Sequence, residues 1–352
     1  MSATPRTGAT PQAGEAPQAG AERRAGARRP WAGLLRRVLE RDPEEIDRRA
    51  ARFAIARPGG RSLVARLGEA FIGGYNATLR LESLRQVAGQ GAAVDPHFRP
   101  FFFEGAAMAY LPRGYLLSGY TPESAERDLL EMHPDFLYLY YVGLGFWHAM
   151  RHPRRPSSIE RLAGHLDPMY LPLCYDGFGF KVGFFDYPGR PEARRLLDRS
   201  PAERRSAIYQ GFGRALFFVY MDDEAGFRRE RDAAGGEHRE DMEHGRSLAL
   251  AFTGVDRPET IAAHVAAAED EPDLRARLTG VTWALTARAM NDAAYFRRCA
   301  ASAPAGWSDL MPGLAALCSK ALAESRTYTE WQAKTRNAAG DAYAAARAPA
   351  GR

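Results

Sequence analysis

Four polar residues recur at related positions inside otherwise apolar segments: Glu104, Asp176, Gln210 and His244. Each directly precedes a glycine, and the last three are spaced 34 residues apart. Carboxylate, amide and imidazole groups can hold the polar substituents of a ligand, and carboxylates and imidazoles can also transfer protons. The pattern predicts a column of polar groups on one face of several helices, lining a groove or tunnel. The alternative is that each side chain is hydrogen-bonded on its own or exposed.

The segment 175–187 is the densest candidate binding site. It combines Tyr175, Asp176 and Lys181 with four phenylalanines. Aromatic walls with one carboxylate and one ammonium group suit a long unsaturated or aromatic ligand that is held by a few polar contacts. Its three glycines do not form a dinucleotide-binding fingerprint, because no strand precedes them and their spacing is wrong.

Two further polar residues, His148 and Arg214, follow a recurring glycine by five and three residues. Asp176 with His148 or His244 is a candidate acid–base pair. No catalytic residue is assigned, the cofactor stays unknown, and no nucleophile elbow, Walker loop or His-Glu zinc motif occurs in the sequence. The predicted substrate-binding residues are Glu104, His148, Tyr175, Asp176, Lys181, Gln210, Arg214 and His244.

The elements that must position these groups are marked by a glycine that returns about every 34 residues. The residue two places later is small in every copy but one. An interior helical glycine costs about 1 kcal/mol relative to alanine, so the pattern predicts helices whose backbones approach closely. The recurring glycines are Gly74, Gly105, Gly143, Gly177, Gly211, Gly245, Gly280 and Gly313.

Each period holds two amphipathic helical segments, which predicts an all-α fold built as a helical-hairpin repeat array of about eight units. The array is an α-solenoid or a closed α/α toroid. Around Gly211, Ser200 is predicted to cap a helix that runs from Pro201 to about Met221. In an open array alternate members of the polar column lie roughly 20 Å apart, so no metal site is predicted among them.

The sequence divides into four predicted regions. Residues 1–30, rich in Ala, Gly, Pro and Arg, are predicted to be a disordered tail. Residues 31–60 are capping helices, 61–325 the repeat domain, and 326–352 a C-terminal closing segment and tail.

The capping segment carries one apolar stripe, formed by Trp31, Leu34, Leu35, Val38 and Leu39. We expect this stripe to cover the exposed end of the first repeat, as repeat proteins require. Attachment to a membrane surface through the arginine face of the same helix is the alternative.

The distribution of the net charge of +5 along the chain argues against nucleic-acid binding. Residues 1–30 and 326–352 each carry +3, which leaves about −1 for the part between them, so no basic face is expected on the folded region.

The three cysteines are too few for a disulfide framework and indicate a reducing compartment. The first thirty residues lack the apolar stretch of a signal peptide, and the longest apolar run is too short to cross a bilayer. The predicted location is the cytoplasm, with peripheral membrane association as a variant.

Three stretches of the chain carry a resemblance to a known family: residues 103–109, residues 176–180 and residues 210–216. They resemble the uncharacterised UnbL-type proteins found in actinobacterial enediyne polyketide clusters, and the resemblance covers roughly residues 33–335. It implies a role in maturing the polyene made by the enediyne polyketide synthase, alongside membrane-associated partners. It carries no catalytic residues that can be transferred.

Two classes of function follow. The first is a biosynthetic accessory protein that binds or transforms a polyene intermediate in an aromatic groove centred on Asp176. The second is a non-catalytic helical scaffold for other pathway proteins, which predicts a concave surface without a closed pocket. It also predicts unchanged product chemistry when Asp176, Lys181 or His244 is replaced by alanine. An unrelated enzyme on an α/α toroid is a third interpretation.

Overall fold

A computed structural model describes residues 30–56 and 58–347, and these residues are almost entirely helical. The prediction of an all-α fold is therefore confirmed for this part of the chain. The predicted disordered tail, up to residue 29, and the last five residues of the predicted C-terminal tail lie outside the described residues.

Seventeen α-helices occur in the described residues, joined by short 3-10 segments. They are α1 (Ala32–Leu39), α2 (Glu45–Ala50), α3 (Pro58–Arg80), α4 (Leu84–Ala92), α5 (Arg99–Met108), α6 (Tyr110–Leu116), α7 (Pro122–Met132), α8 (Leu137–Arg151), α9 (Leu171–Lys181), α10 (Arg205–Val219), α11 (Glu224–Ala233), α12 (Arg239–Thr253), α13 (Pro258–Ala266), α14 (Glu271–Asn291), α15 (Ala293–Ala301), α16 (Trp307–Ala323) and α17 (Tyr328–Arg347). A π-helical turn, Val182–Asp186, continues α9.

Local sequence explains several helix starts. Ser83 and Gln86 form a reciprocal capping box at α4, and the Asp270 side chain accepts a hydrogen bond from the Asp273 amide at the start of α14. The predicted cap at Ser200 is wrong. Its hydroxyl donates instead to the Leu197 carbonyl, and α10 begins only at Arg205 because the backbone of Pro201 is extended and Ala202–Arg204 form a 3-10 turn.

Seven helices, which we call the inner helices, pack against one another in the order α3, α5, α8, α9, α10, α12 and α14. Recurring glycines lie at these contacts. A Cβ on Gly211 would overlap the backbone carbonyl of Asp176, which immediately precedes the glycine of the neighbouring helix. The same relation holds for Gly143 with Glu104, Gly177 with Val142, Gly245 with Gln210 and Gly280 with His244.

The small residues two places later lie at the contact with the inner helix on the other side. A Cβ on Gly145, Gly179 or Gly213 would overlap a backbone carbonyl of the next inner helix, at Cys174, Ile208 and Met242 respectively. The predicted close approach of helix backbones is thus confirmed. Gly313 is the exception: it lies in α16, and no atom of the described residues comes within 4 Å of a Cβ built on it.

The C-terminal helix α17 is packed into the helix core. The Trp331 ring stacks on Trp283 of α14 at 4.2 Å between centroids, and its indole N–H donates to the Cys318 carbonyl at 3.2 Å. Tyr328 and Gln332 reach α10 and α12. This helix therefore packs across the successive inner helices α10, α12 and α14.

Candidate functional site

A cavity lined mainly by phenylalanine lies between the inner helices and α2. Its empty volume is about 650 Å³, a figure that includes space open to solvent. Eight phenylalanines line it, and Glu104 and Arg214 are its charged groups. The phenylalanines are Phe71, Phe101, Phe146, Phe180, Phe184, Phe185, Phe218 and Phe252.

The walls follow a simple helical rule. Positions three and seven residues after a recurring glycine lie on one face of an α-helix. In α10 these positions hold Arg214 and Phe218, and in α12 they hold Leu248 and Phe252, all of which line the cavity. The segment 175–187 contributes Phe180 from α9 and both Phe184 and Phe185 from the π-helical turn. The glycine spacing thus brings side chains of several helices to one cavity.

Arg214 connects the cavity to a buried carboxylate. Its Nη2 atom lies 2.7 Å from Asp176 Oδ1 and 3.9 Å from Glu104 Oε1, and its guanidinium sits 4.7 Å from the centre of the Phe180 ring. The two carboxylates therefore lie within 4 Å of one nitrogen. The expected separation of roughly 20 Å between alternate column members is wrong for this pair, because both carboxylates approach the same guanidinium group.

Behind Arg214 a hydrogen-bonded chain extends into the core. The Gln210 amide donates to Asp176 Oδ2 at 3.1 Å, and the Tyr328 hydroxyl of α17 donates to Gln210 Oε1 at 3.1 Å. Asp176 and Gln210 are almost completely buried. The predicted centre of the site, Asp176, is thus not in the cavity wall: it holds Arg214 from behind, and Glu104 is the carboxyl that faces the cavity.

The network leaves donor capacity unused. Nε of Arg214 is a buried donor without a hydrogen-bond partner among the described residues, whereas Nη2 of Arg214 and Oδ1 of Asp176 are paired with each other at 2.7 Å. Buried polar atoms are nearly always paired, so such a donor beside a cavity marks a place where a ligand or water can complete the pairing.

Burial raises the pKa of Glu104 to about 7, an effect that Asp176 reinforces and Arg214 opposes. Burial also raises the pKa of Asp176, against the lowering effect of Arg214 and Gln210. A carboxyl whose pKa lies near neutrality can both donate and accept a proton there. Glu104 is therefore the cavity group best suited to proton transfer.

The raised pKa of Glu104 makes folding stability depend on pH. The unfolded carboxyl ionises near pH 4.5 and the folded one near pH 7, so its contribution is fully present below pH 4.5 and is lost as the pH rises to about 7. We expect the loss to reach about 3 kcal/mol. The side chain introduced by Glu104→Gln cannot ionise. Urea unfolding at pH 5 and pH 8 should therefore show a larger decrease in the free energy of unfolding for the wild type than for the variant. Parallel pH profiles of the two proteins would contradict it.

A second, smaller space adjoins the cavity. Its empty volume is about 330 Å³, and Ile46, Phe71, Phe146 and Phe185 line both spaces. It extends towards α1 and α2. Tyr75, which is almost completely buried, belongs to this wall.

Two of the other predicted residues have partners away from the cavity. The Tyr175 hydroxyl donates to Glu160 Oε1 at 2.9 Å, and Lys181 donates to both carboxylate oxygens of Asp186 at 2.9 and 2.8 Å. Neither side chain lines the cavity.

The two predicted histidines also lie apart from Glu104 and Arg214. His244 is fully buried and pairs through Nδ1 with Gln332 of α17 at 3.2 Å, and burial lowers its pKa to about 3. His148 lies beside His152, 5.8 Å between ring centres, and burial lowers its pKa to about 4. The proposed pairing of Asp176 with either histidine is not seen: its polar partners are Gln210 and Arg214.

The predictions missed most of the cavity wall. Phe146, Phe180 and Leu248 stand three residues after a recurring glycine, and Phe184 and Phe218 stand seven residues after one. This register was available in the sequence. The position before the glycine lies on the same helix face one turn earlier, where Glu104 lines the cavity but Asp176, Gln210 and His244 do not.

Among the residues that the structure describes, no three His, Cys, Asp or Glu side chains are grouped closely enough to hold a metal ion. In the same residues no helix combines the length and the apolar character needed to cross a bilayer.

Comparison with known proteins gives a family but no activity. The chain belongs to the family described as protein of unknown function (DUF1702), whose model matches residues 31–338. The predicted relationship to an uncharacterised domain family is confirmed at this level. No curated protein and no solved structure matches the chain.

Proposed function

We propose that this member of a family of unknown function binds an extended, unsaturated apolar molecule in the phenylalanine-lined cavity. The observation that carries the proposal is the wall itself: eight phenylalanines with only one buried carboxyl and one guanidinium among the charged groups. Phe71, Phe101, Phe180 and Phe185 are only partly buried. Their rings thus offer apolar surface that a flat conjugated molecule would cover, with gain of both hydrophobic and stacking energy.

The resemblance to proteins of enediyne clusters makes the polyene of an enediyne polyketide synthase the specific ligand that we propose. In this role the protein is an accessory factor of antibiotic maturation. Arg214 and Glu104 hold one polar end of the polyene, and Glu104 is the group for any proton transfer to it. The buried, unpaired Cys174, Cys299 and Cys318 support a reducing cytoplasmic location.

We further propose that the inner helices are copies of one repeated unit. Support comes from the glycine contacts, in which five recurring glycines each approach the carbonyl of the residue before the preceding repeat glycine. A repeated contact of this kind follows naturally from repeated units. Repetition of the unit then explains why the cavity wall is built from residues that stand at the same distances, three and seven residues, after a recurring glycine.

A probe-binding experiment tests the proposed ligand class. Parinaric acid, a conjugated tetraene fatty acid, fluoresces more strongly in apolar surroundings and can be titrated into the purified full chain. We expect saturable binding that Phe180→Ala weakens about tenfold or more, since a buried phenylalanine contact contributes about 1.5–3 kcal/mol. Phe217→Ala is the matched control: Phe217 is partly buried on α10 but does not line the cavity.

Equal affinity of the two variants, or no saturable binding by the wild type, would contradict the proposal. Co-expression with a polyene synthase gives a second readout, because the wild type should then purify with a bound chromophore. A colourless preparation counts against a polyene ligand. It would favour the scaffold alternative, in which changes at Asp176, Lys181 or His244 leave product chemistry unchanged.

A further inference from the structure

Helix α1 has two apolar faces. Ala32, Leu35 and Leu39 pack against the protein body, whereas Leu34 and Val38 point outward with 72% and 74% of their surfaces exposed. Trp31 is 57% exposed on the same outer side. The predicted single stripe, which was expected to cover the first repeat, is therefore divided: of its five residues only Leu35 and Leu39 cover the body.

The outward residues form a continuous patch. Trp31, Leu34 and Val38 are spaced i, i+3 and i+7, which aligns them along one side of a helix. Tyr115, which is 43% exposed, lies on the neighbouring α6. Single exposed apolar residues are ordinary, but a grouped set on one helix marks an interaction surface.

The sequence that contains this patch is rich in arginine. The 19 residues 23–41 hold seven arginines and one acidic residue, Glu40. The arginines are Arg23, Arg24, Arg28, Arg29, Arg36, Arg37 and Arg41. Tryptophan and aliphatic side chains flanked by arginine are the composition of helices that lie in the headgroup region of anionic bilayers.

Other occupants fit less well. Residues 1–29 contain no Val, Ile, Leu, Phe, Tyr or Trp and so have no large apolar side chain, apart from Met1, to cover the patch. A second copy bound by two-fold symmetry would bring two arginine-rich segments together, which is repulsive.

We propose that the outer face of α1 docks on the surface of an anionic lipid bilayer. The apolar residues enter the headgroup boundary, and the arginines bind lipid phosphates and carboxylates. This docking does not depend on the proposed ligand. One consequence of docking does rest on the proposed function. The apolar cluster beneath α1 includes Phe71 and Phe146 of the cavity wall. Docking therefore brings the cavity close to the bilayer, which is a source of apolar molecules.

Co-sedimentation of the full chain with vesicles tests the docking. We expect binding to phosphatidylcholine vesicles that contain phosphatidylserine, weaker binding to phosphatidylcholine alone, and a decrease at high salt. The double variant Leu34→Ser/Val38→Ser should lose at least about tenfold in affinity, because two exposed apolar side chains no longer insert. Both residues are exposed, so the thermal unfolding temperature should stay unchanged.

Met290→Ser is the matched control, since Met290 is an exposed apolar residue on α14, outside the patch. It should bind vesicles like the wild type. The proposal is overturned if the wild type ignores anionic vesicles or if the double variant binds equally well. It is also overturned if light scattering shows a dimer that the double variant dissociates, because the patch is then a protein interface. Parinaric acid binding is measured separately, so failure of docking and failure of the ligand proposal are distinguishable.

Discussion

Gly211→Ala is expected to lower the free energy of unfolding by about 3 kcal/mol or more. A Cβ at this position would overlap the carbonyl oxygen of Asp176 and also meet its carbonyl carbon and Cα. All three are backbone atoms, so relief requires α9 and α10 to separate, and overpacking of this kind costs at least the upper part of the usual range of about 1–3 kcal/mol. Denaturant unfolding followed by far-UV circular dichroism measures the effect.

Gly313→Ala is the matched control, because this recurring glycine lies inside α16 and no atom of residues 30–56 or 58–347 comes within 4 Å of the position that the alanine methyl group would occupy. There the better helix propensity of alanine should raise stability by up to about 1 kcal/mol. The two substitutions are chemically identical but have opposite expected signs. Equal effects would show that helix packing does not explain the recurring glycines.

Arg214→Leu is expected to lower the free energy of unfolding by about 3–5 kcal/mol. The substitution leaves Asp176, which is 2% exposed, without its cation while keeping the side chain apolar and of moderate size. The cost is that of an uncompensated buried charge. Removal of one partner of an exposed pair provides the comparison: Arg48→Ala at the Arg48–Asp42 pair should change stability by about 0–1 kcal/mol.

Rescue distinguishes charge from packing. Adding Asp176→Asn to Arg214→Leu removes the stranded charge and keeps an acceptor and a donor for Gln210. We expect the double variant to recover more than half of the lost stability. If it is as unstable as the single variant, the arginine acts through its packing on Phe180 and not through the ion pair.

Local chemistry in the sequence determines the helices and the places where they meet. Gly211 and Gly245 could be predicted as contact points because a mid-helix glycine is costly unless another backbone replaces its missing side chain. Helix caps were less predictable: Ser200 has the composition of a cap, but the extended backbone of Pro201 delays α10 to Arg205. Four of the predicted binding residues, Glu104, Asp176, Gln210 and Arg214, meet in one network.

By itself the sequence determined that this protein is helical, that its glycines mark close contacts, and that a polar and aromatic set recurs with their period. Only the tertiary structure decided which of those groups meet. Asp176, Gln210 and His244, 34 residues apart, occupy corresponding positions on successive inner helices. The distance between Glu104 and Asp176, however, depends on how the crossing angles of successive helices accumulate, and small residues at a contact permit a close approach without setting its angle. For the same reason the exposed half of α1 and the phenylalanine cavity became visible only once the helices were placed.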